Sequence, residues 1–287
     1  MMAHETDIIR QLVKDASGMT FSADKAYLIE SRLLPVVQRH NLASVSDLVA
    51  QLKRPDHAIL LKAVVDALTI NETSFLRDGR PFETLRRYVV PELVKSNADT
   101  RSFRIWCAAA STGQEPYSVA MSLAEERARL GGFNYQIIGT DISPSALKRA
   151  NEARYSMFEM SRGLPEPLRS RYFDQIGDSW TAKASIRAPI TFSEHNLVAD
   201  AARFGSFDVV FCRNVLIYFD LPTKQKVLDQ IFRRLRPGGY LLLGAAETII
   251  GISEQFRIVP GYSGLYRSTK GETPKGQTPT RAELAAA

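Results

Sequence analysis

The first 70 residues carry apolar positions at helical spacing and no alternating pattern. Ile8, Ile9, Leu12 and Val13 make one set, and Leu33, Val36 and Val37 a second. Leu48, Val49 and Leu52 make a third, and Leu60, Val64, Val65 and Leu68 a fourth. Recurrence at three and four residues gathers each set on one side of a helix, so this portion predicts helices only. The stretch SGMTFSAD separates the first two helices, with Ser22 as N-cap of the second. Pro35 falls inside the second pattern and predicts a kink there.

From residue 102 the rhythm changes to strand and helix in alternation. FRIWCA (103–108), YQIIGTD (135–141), FDVVFC (207–212) and GYLLLGA (239–245) read as strands, with helices expected at 115–130, 144–153 and 222–235. Continuous apolar strands separated by helices indicate a parallel sheet covered on both faces. The segment 154–195 breaks this rhythm. Rich in Arg, Pro and aromatics, it reads as short strands in an insertion. The expected division is a helical domain at 1–75, an α/β domain at 76–268 and a disordered tail at 269–287. That tail has no large apolar side chain except Leu284.

Composition narrows the class. At 287 residues, 45% hydrophobic and 24% charged, the chain has ample material for a globular core. No apolar run approaches the roughly 20 residues that span a bilayer, and the N-terminus has no signal-peptide layout, so a cytoplasmic protein without membrane insertion is expected. Cys107 and Cys212 fall in apolar strands and read as buried free thiols. The net charge of +6 hints at an acidic partner. No Lys/Arg block or basic-aromatic interleaving points to nucleic acid.

The chemistry concentrates at SFRIWCAAASTGQEPYS, residues 102–118, where an apolar strand runs into a turn of tiny residues and then a helix. Small residues there let the backbone approach a ligand closely, as glycines do in dinucleotide-binding turns. The helix, however, opens with Glu115. A carboxylate there repels the phosphates that helix N-termini otherwise attract, and it favours a cation. Taken alone, Glu115 reads as a complement to the helix dipole. Asp141 ends the second strand, where a carboxylate accepts the hydroxyls of an adenosine ribose, although an N-cap role is also open. Together the features ask for adenosine, positive charge and no phosphate. S-adenosylmethionine fits.

NETSFLRD (71–78), WCAAASTGQEPYSVAM (106–121), GTDIS (139–143), FDVVFCRNVLIYFD (207–220) and LRPGGYLLLGAAET (235–248) resemble, in order, blocks of the CheR family, which methylates glutamates of bacterial chemoreceptors. The resemblance covers about residues 5–268. It implies a Rossmann-like class I methyltransferase sheet, a small all-helical N-terminal domain and an inserted small β-subdomain. It further implies that Asn71, Thr73 and Arg77 hold the cofactor, with Arg77 forking onto its carboxylate. Glu115 would lie near the cationic methionyl portion, and Asp141 at the ribose. Asn196 and Leu197 would border the adenine, and Asn214 and Val215 would close the pocket. No metal is implied.

A glutamate acceptor, with an unperturbed pKa of about 4.3, is already ionised at neutral pH. No general base is then needed, and catalysis rests on positioning. His195 beside Asn196 is expected to be structural, while Arg213 and Tyr218 are candidates to steer the incoming carboxylate. Lys25, Arg32 and Arg39 fall on one line of the second helix and would suit an acidic helical receptor domain. The inserted segment, with Gly177 as its only glycine between 172 and 192, predicts no dependence on a tethering pentapeptide at the receptor C-terminus. Two other readings stay open: a methyltransferase of RNA or a small molecule, and a non-catalytic adaptor that senses the same cofactor.

Overall fold

The computed structural model describes residues 2–272. Four helices lead: α1 (Ala3–Ser17), α2 (Ala26–Arg39), α3 (Val45–Leu52) and α4 (Ala58–Leu68). Ser22 precedes a 3₁₀ turn rather than capping α2 directly, and its side chain makes no capping bond to that turn's backbone. α2 runs on through Pro35. Ser44, by contrast, caps α3 by accepting from the amide of Asp47 at 3.1 Å.

A helical stretch follows as α5 (Arg80–Thr84), a π turn and α6 (Val90–Ser96). Alternation then begins with β1 (Ser102–Cys107), α7 (Gln114–Glu125), α8 (Arg127–Leu130), β2 (Asn134–Asp141) and α9 (Pro144–Glu152). An insertion supplies β3 (Arg154–Ser156), α10 (Met157–Ser161), α11 (Glu166–Tyr172), β4 (Phe173–Ile176), β5 (Ser179–Ala182) and α12 (Ala184–Arg187). The chain closes with β6 (Ile190–Glu194), β7 (Phe207–Cys212), α13 (Leu221–Arg234), β8 (Leu235–Leu243), β9 (Phe256–Ile258) and β10 (Leu265–Ser268).

The large sheet has the order β6-β2-β1-β7-β8-β10-β9, and the small one β3-β5-β4. The strands from β6 to β8 are parallel, and β10 is antiparallel to both its neighbours. The segment 154–195 therefore divides. Its first part makes the small sheet, while 190–194 returns to the large sheet and pairs with β2 from Ile137↔Ile190 to Asp141↔Glu194. An edge strand buries only one flank, which leaves ITFSE too polar to resemble the central strands. Residues Thr269 to Glu272 are tied down by Gln255 and Arg257, and the rest of the expected tail lies outside the described residues.

Each central strand feeds two cores. Phe103, Ile105 and Cys107 of β1 face one, with α7, α5 and the small sheet; Trp106 faces the other. That second core is continuous with Ile9, Val13, Leu33, Leu48 and Leu68 of the leading helices. The helical domain thus packs onto one face of the sheet through Met19, Phe21, Leu197 and Phe219, and shares its core.

Candidate functional site

The strand order reverses between β1 and β7, and in such sheets ligands bind beyond the carboxyl ends of the strands on either side of that point. A cleft of about 840 Å³, open to solvent, lies there. It is lined by the turn after β1, the end of β2, the loops after β6 and β7, residues 69–77, and Ser17 and Met19 from the helical domain. All nine residues assigned to the cofactor line this one cleft: Asn71, Thr73, Arg77, Glu115, Asp141, Asn196, Leu197, Asn214 and Val215. Arg213, Tyr218 and His195 line it too.

The turn between β1 and α7 spends several of its amides on internal acceptors. The amides of Ala108, Ala110, Ser111 and Gly113 are spent on Phe211 O, Thr140 O, the Asp141 carboxylate and Ala110 O. These donors are not free for an anion. Ser111 sits at φ +49, and Gly113 at φ +97 begins α7, where a Cβ would meet Tyr155 Oη at 2.9 Å and Ala150 Cβ at 3.0 Å. Four of the seven non-glycine residues with positive φ among the described residues are Leu76, Asp78, Ser111 and Asn214. Backbone held in this costly region at one site is a mark of functional constraint.

Two buried carboxylates face the cleft. Asp141 accepts from the amides of Ser111 at 2.7 Å and Ser143 at 2.9 Å. Burial pushes its carboxyl up, and these amides pull it back. Asp66, reaching over from α4, binds the hydroxyls of Ser143 and Ser145. Glu115 is also pushed up by burial, with Arg213 opposing that shift. Two acids, small residues and a turn with four of its amides already bonded internally fit an adenosyl sulfonium, so the residues present suit S-adenosylmethionine.

Arg213 corrects an expectation. Its side chain is only 2% exposed; Nη1 and Nη2 go to Glu115 Oε2 (3.0 Å), Asp78 Oδ2 (2.7 Å) and the carbonyl of Arg77 (2.9 Å), while Nε is buried without a partner. A guanidinium so committed is not available to an incoming substrate. Tyr218 stands half-buried at the cleft, its phenol raised by burial and lowered by Arg77. Arg77 itself gives only Nη1 to an internal acceptor, the carbonyl of Glu72 at 3.0 Å. Asn196 donates to the carbonyl of Ala16 at 2.7 Å and accepts from Val198, so its amide ties α1 to the loop after β6. None of Lys25, Arg32 and Arg39 lines the cleft. Lys25 and Arg39 are exposed, and Arg32 donates to the carbonyls of Leu68 and Thr69 at the end of α4.

Glu247 was not anticipated from sequence. Oε2 accepts from the amides of Asn214 (2.7 Å) and Gly244 (2.8 Å), and Oε1 from Val215 (2.9 Å) and Leu216 (2.8 Å). It shapes the cleft wall after β7. Its only sequence signal is an acid within the GAAET block, which does not reveal a partner some 30 residues back. Ser111, whose hydroxyl donates to the carbonyl of Asn71 at 2.9 Å, was likewise hidden.

Residues 4–69 match the CheR methyltransferase all-alpha domain, and residues 71–265 the CheR methyltransferase SAM-binding domain. The chemotaxis protein methyltransferase Cher2 of Pseudomonas putida is 38% identical over 265 residues, covering 91% of this chain and 96% of its own. Chemotaxis protein methyltransferase 1 of Pseudomonas aeruginosa is 40% identical over 267 residues, 91% of this chain and 97% of its own. The chemotaxis protein methyltransferase of Vibrio parahaemolyticus is 39% identical over 263 residues, 91% and 94% respectively.

Proposed function

The chain belongs to the CheR methyltransferase family, and from that premise we propose that it methylates glutamate side chains in the cytoplasmic domain of a chemoreceptor. S-adenosylmethionine supplies a methyl group already activated as a sulfonium, and the products are a glutamyl methyl ester and S-adenosylhomocysteine. The observation that carries this reading is Glu115, a buried acid at the mouth of α7 beside a turn in which the amides of Ala108, Ala110, Ser111 and Gly113 are already bonded internally. Such a pocket favours a cationic adenosyl cofactor over a phosphorylated one.

The chain's own residues would then bind and orient. Arg77, with donors free of internal partners, suits the methionyl carboxylate as a fork. Asp141 would hold the ribose, Asn71 and Thr73 the flank of the cofactor, and Leu197, with the backbone at Asn196, the adenine. Asn214 and Val215 would form the wall that Glu247 fixes. The acceptor carboxylate attacks with its own lone pair, so no side chain has to take a proton. The roof of Ser17, Met19 and residues 69–71 would exclude water, which raises the worth of opposite charges that cancel on transfer.

The hairpin between β4 and β5 turns through Gly177 and Asp178 alone, with Gly177 at φ +59. So compact a turn supports a receptor encounter without a C-terminal pentapeptide, and calorimetry with such a peptide should give no saturable heat. The function as a whole is tested by incubating the protein with methyl-labelled cofactor and receptor-bearing membranes. Label should enter a receptor band and leave on mild alkali, as glutamyl esters do. Alkali-stable label, or label in RNA, would refute it.

A further inference from the structure

Arg213 lies at the centre of the only buried cation-and-acid cluster found in the cleft among the described residues, yet the reaction as read above gives it nothing to do. Its guanidinium ties the loop after β7 to two other elements: α7 through Glu115, and the loop before α5 through Asp78 and the Arg77 carbonyl. Phe82 covers its face, 5.5 Å from ring centre to guanidinium carbon. We infer that Arg213 is a positioning residue that keeps Glu115 ionised and aimed at the cationic end of the cofactor, so that the enzyme tells the sulfonium donor from its uncharged thioether product.

The surroundings of Glu115 argue for this division of labour. The groups facing its carboxylate are the Cys107 thiol on β1, Glu247 after β8 and Arg213 after β7. Burial and Glu247 both disfavour its charge, and Arg213 is the principal group opposing them. Cys107, a buried thiol pushed well up, stays protonated and brings no charge of its own. Asp78 shares the same guanidinium but is a third exposed, so water also serves it. Losing Arg213 therefore falls hardest on Glu115. S-adenosylmethionine carries one positive charge more than S-adenosylhomocysteine, at the sulfur. A pocket whose Glu115 is protonated loses its advantage for the first and keeps its shape for both.

This inference rests on the cofactor reading above, and the test separates the two. Calorimetry would give the affinity of S-adenosylmethionine and S-adenosylhomocysteine between about pH 6 and pH 9 for the wild type, Arg213→Met, Arg213→Lys and Glu115→Gln. The ratio of the two affinities cancels the titration of the amino group they share. In the wild type the ratio should be flat with pH. In Arg213→Met it should fall about tenfold at the acid end, where Glu115 takes up a proton, and recover as pH rises. Arg213→Lys should restore a flat profile. Glu115→Gln should show the lowered ratio at every pH, and serves alone if Arg213→Met does not fold. Equal, pH-independent weakening of both ligands in Arg213→Met, or an unchanged ratio in Glu115→Gln, overturns the inference. Wild-type protein that binds neither ligand overturns the cofactor reading instead.

Discussion

Tyr155 Oη donates to the carbonyl of Thr112 at 2.9 Å, joining the inserted small sheet to the turn between β1 and α7. The same ring meets Phe75 edge-on, with centroids 4.9 Å apart, and Phe75 anchors the loop that carries Thr73 and Arg77. One buried side chain thus braces both the turn and the loop. Burial pushes the Tyr155 phenol well up, so it remains a donor throughout the working range. Tyr155→Phe keeps the packing and strands the Thr112 carbonyl, which costs about 1–2 kcal/mol. Expected outcomes are a melting temperature lowered by about 2–4 °C and a several-fold weaker Kd for the cofactor. A loss of stability with unchanged Kd would show that the brace does not reach the site.

The four amides on Glu247 give a sharper case. In Glu247→Gln the new NH₂ must face two backbone donors, either those of Asn214 and Gly244 or those of Val215 and Leu216. Donor facing donor, with two amides unsatisfied, should cost about 2–4 kcal/mol. Urea unfolding checks this, and a midpoint equal to wild type would rule it out. Gly244 offers no relief: a Cβ there would come within 2.8 Å of Glu247 Oε2.

What the sequence disclosed follows from how local each signal was. Strand β7 was read at its true bounds because FDVVFC is buried on both faces and every residue is apolar or, like Asp208, held at an end. β8 begins earlier than expected, at Leu235, which pairs with Phe207; RPGG, which looks like a turn, is the irregular stretch that follows, and pairing resumes at Val209↔Tyr240. β6, β9 and β10 were not placed in the large sheet because edge and short strands carry too few apolar residues to show a period. In the cleft, Asp141 and Glu115 announced themselves by position after a strand and in a first helical turn. Arg213 misled: an arginine in a pocket motif looks like a substrate contact until its three internal acceptors are seen. Its charge had to be weighed against Asp78, which is remote in sequence.

His195 carries a pH signature. Its ring lies between Trp106 and Phe204, with centroids 6.1 and 5.1 Å away, and its buried Nε2 has no partner. Burial is the main cause that lowers its pKa from 6.5 to about 4, with Arg203 adding to the shift and Asp200 opposing it. The unfolded chain therefore takes up this proton before the folded one. The stabilising contribution is complete above pH 6.5 and is lost as pH falls towards 4, a span worth roughly 3 kcal/mol. His195→Phe fills the same slot without a proton to gain. Its stability relative to wild type should rise as pH is lowered from 7 to 5 in urea titrations, and a pH-independent difference would disprove the assignment.

The basic residues of α2 and of the 3₁₀ turn before it make the last prediction: Lys25 lies in that turn (Ala23–Lys25) rather than on α2 with Arg32 and Arg39. Lys25 and Arg39 are exposed, so reversing both to Glu changes the field met by an acidic receptor helix and little else. KM for receptor should rise about 5–10-fold at low salt, and the effect should shrink at high salt as the screening length falls below about 10 Å. Cofactor Kd should not move, because neither residue lines the cleft. Arg32→Glu differs in kind. It removes the donor to the Leu68 and Thr69 carbonyls, puts a like charge beside them, and so should cost about 1 kcal/mol of stability as well. It also sits close enough to bear on Tyr218 at the cleft, which makes some loss of turnover its expected companion. If the Lys25→Glu, Arg39→Glu double variant keeps the wild-type KM at low salt, α2 is not the face that meets the receptor.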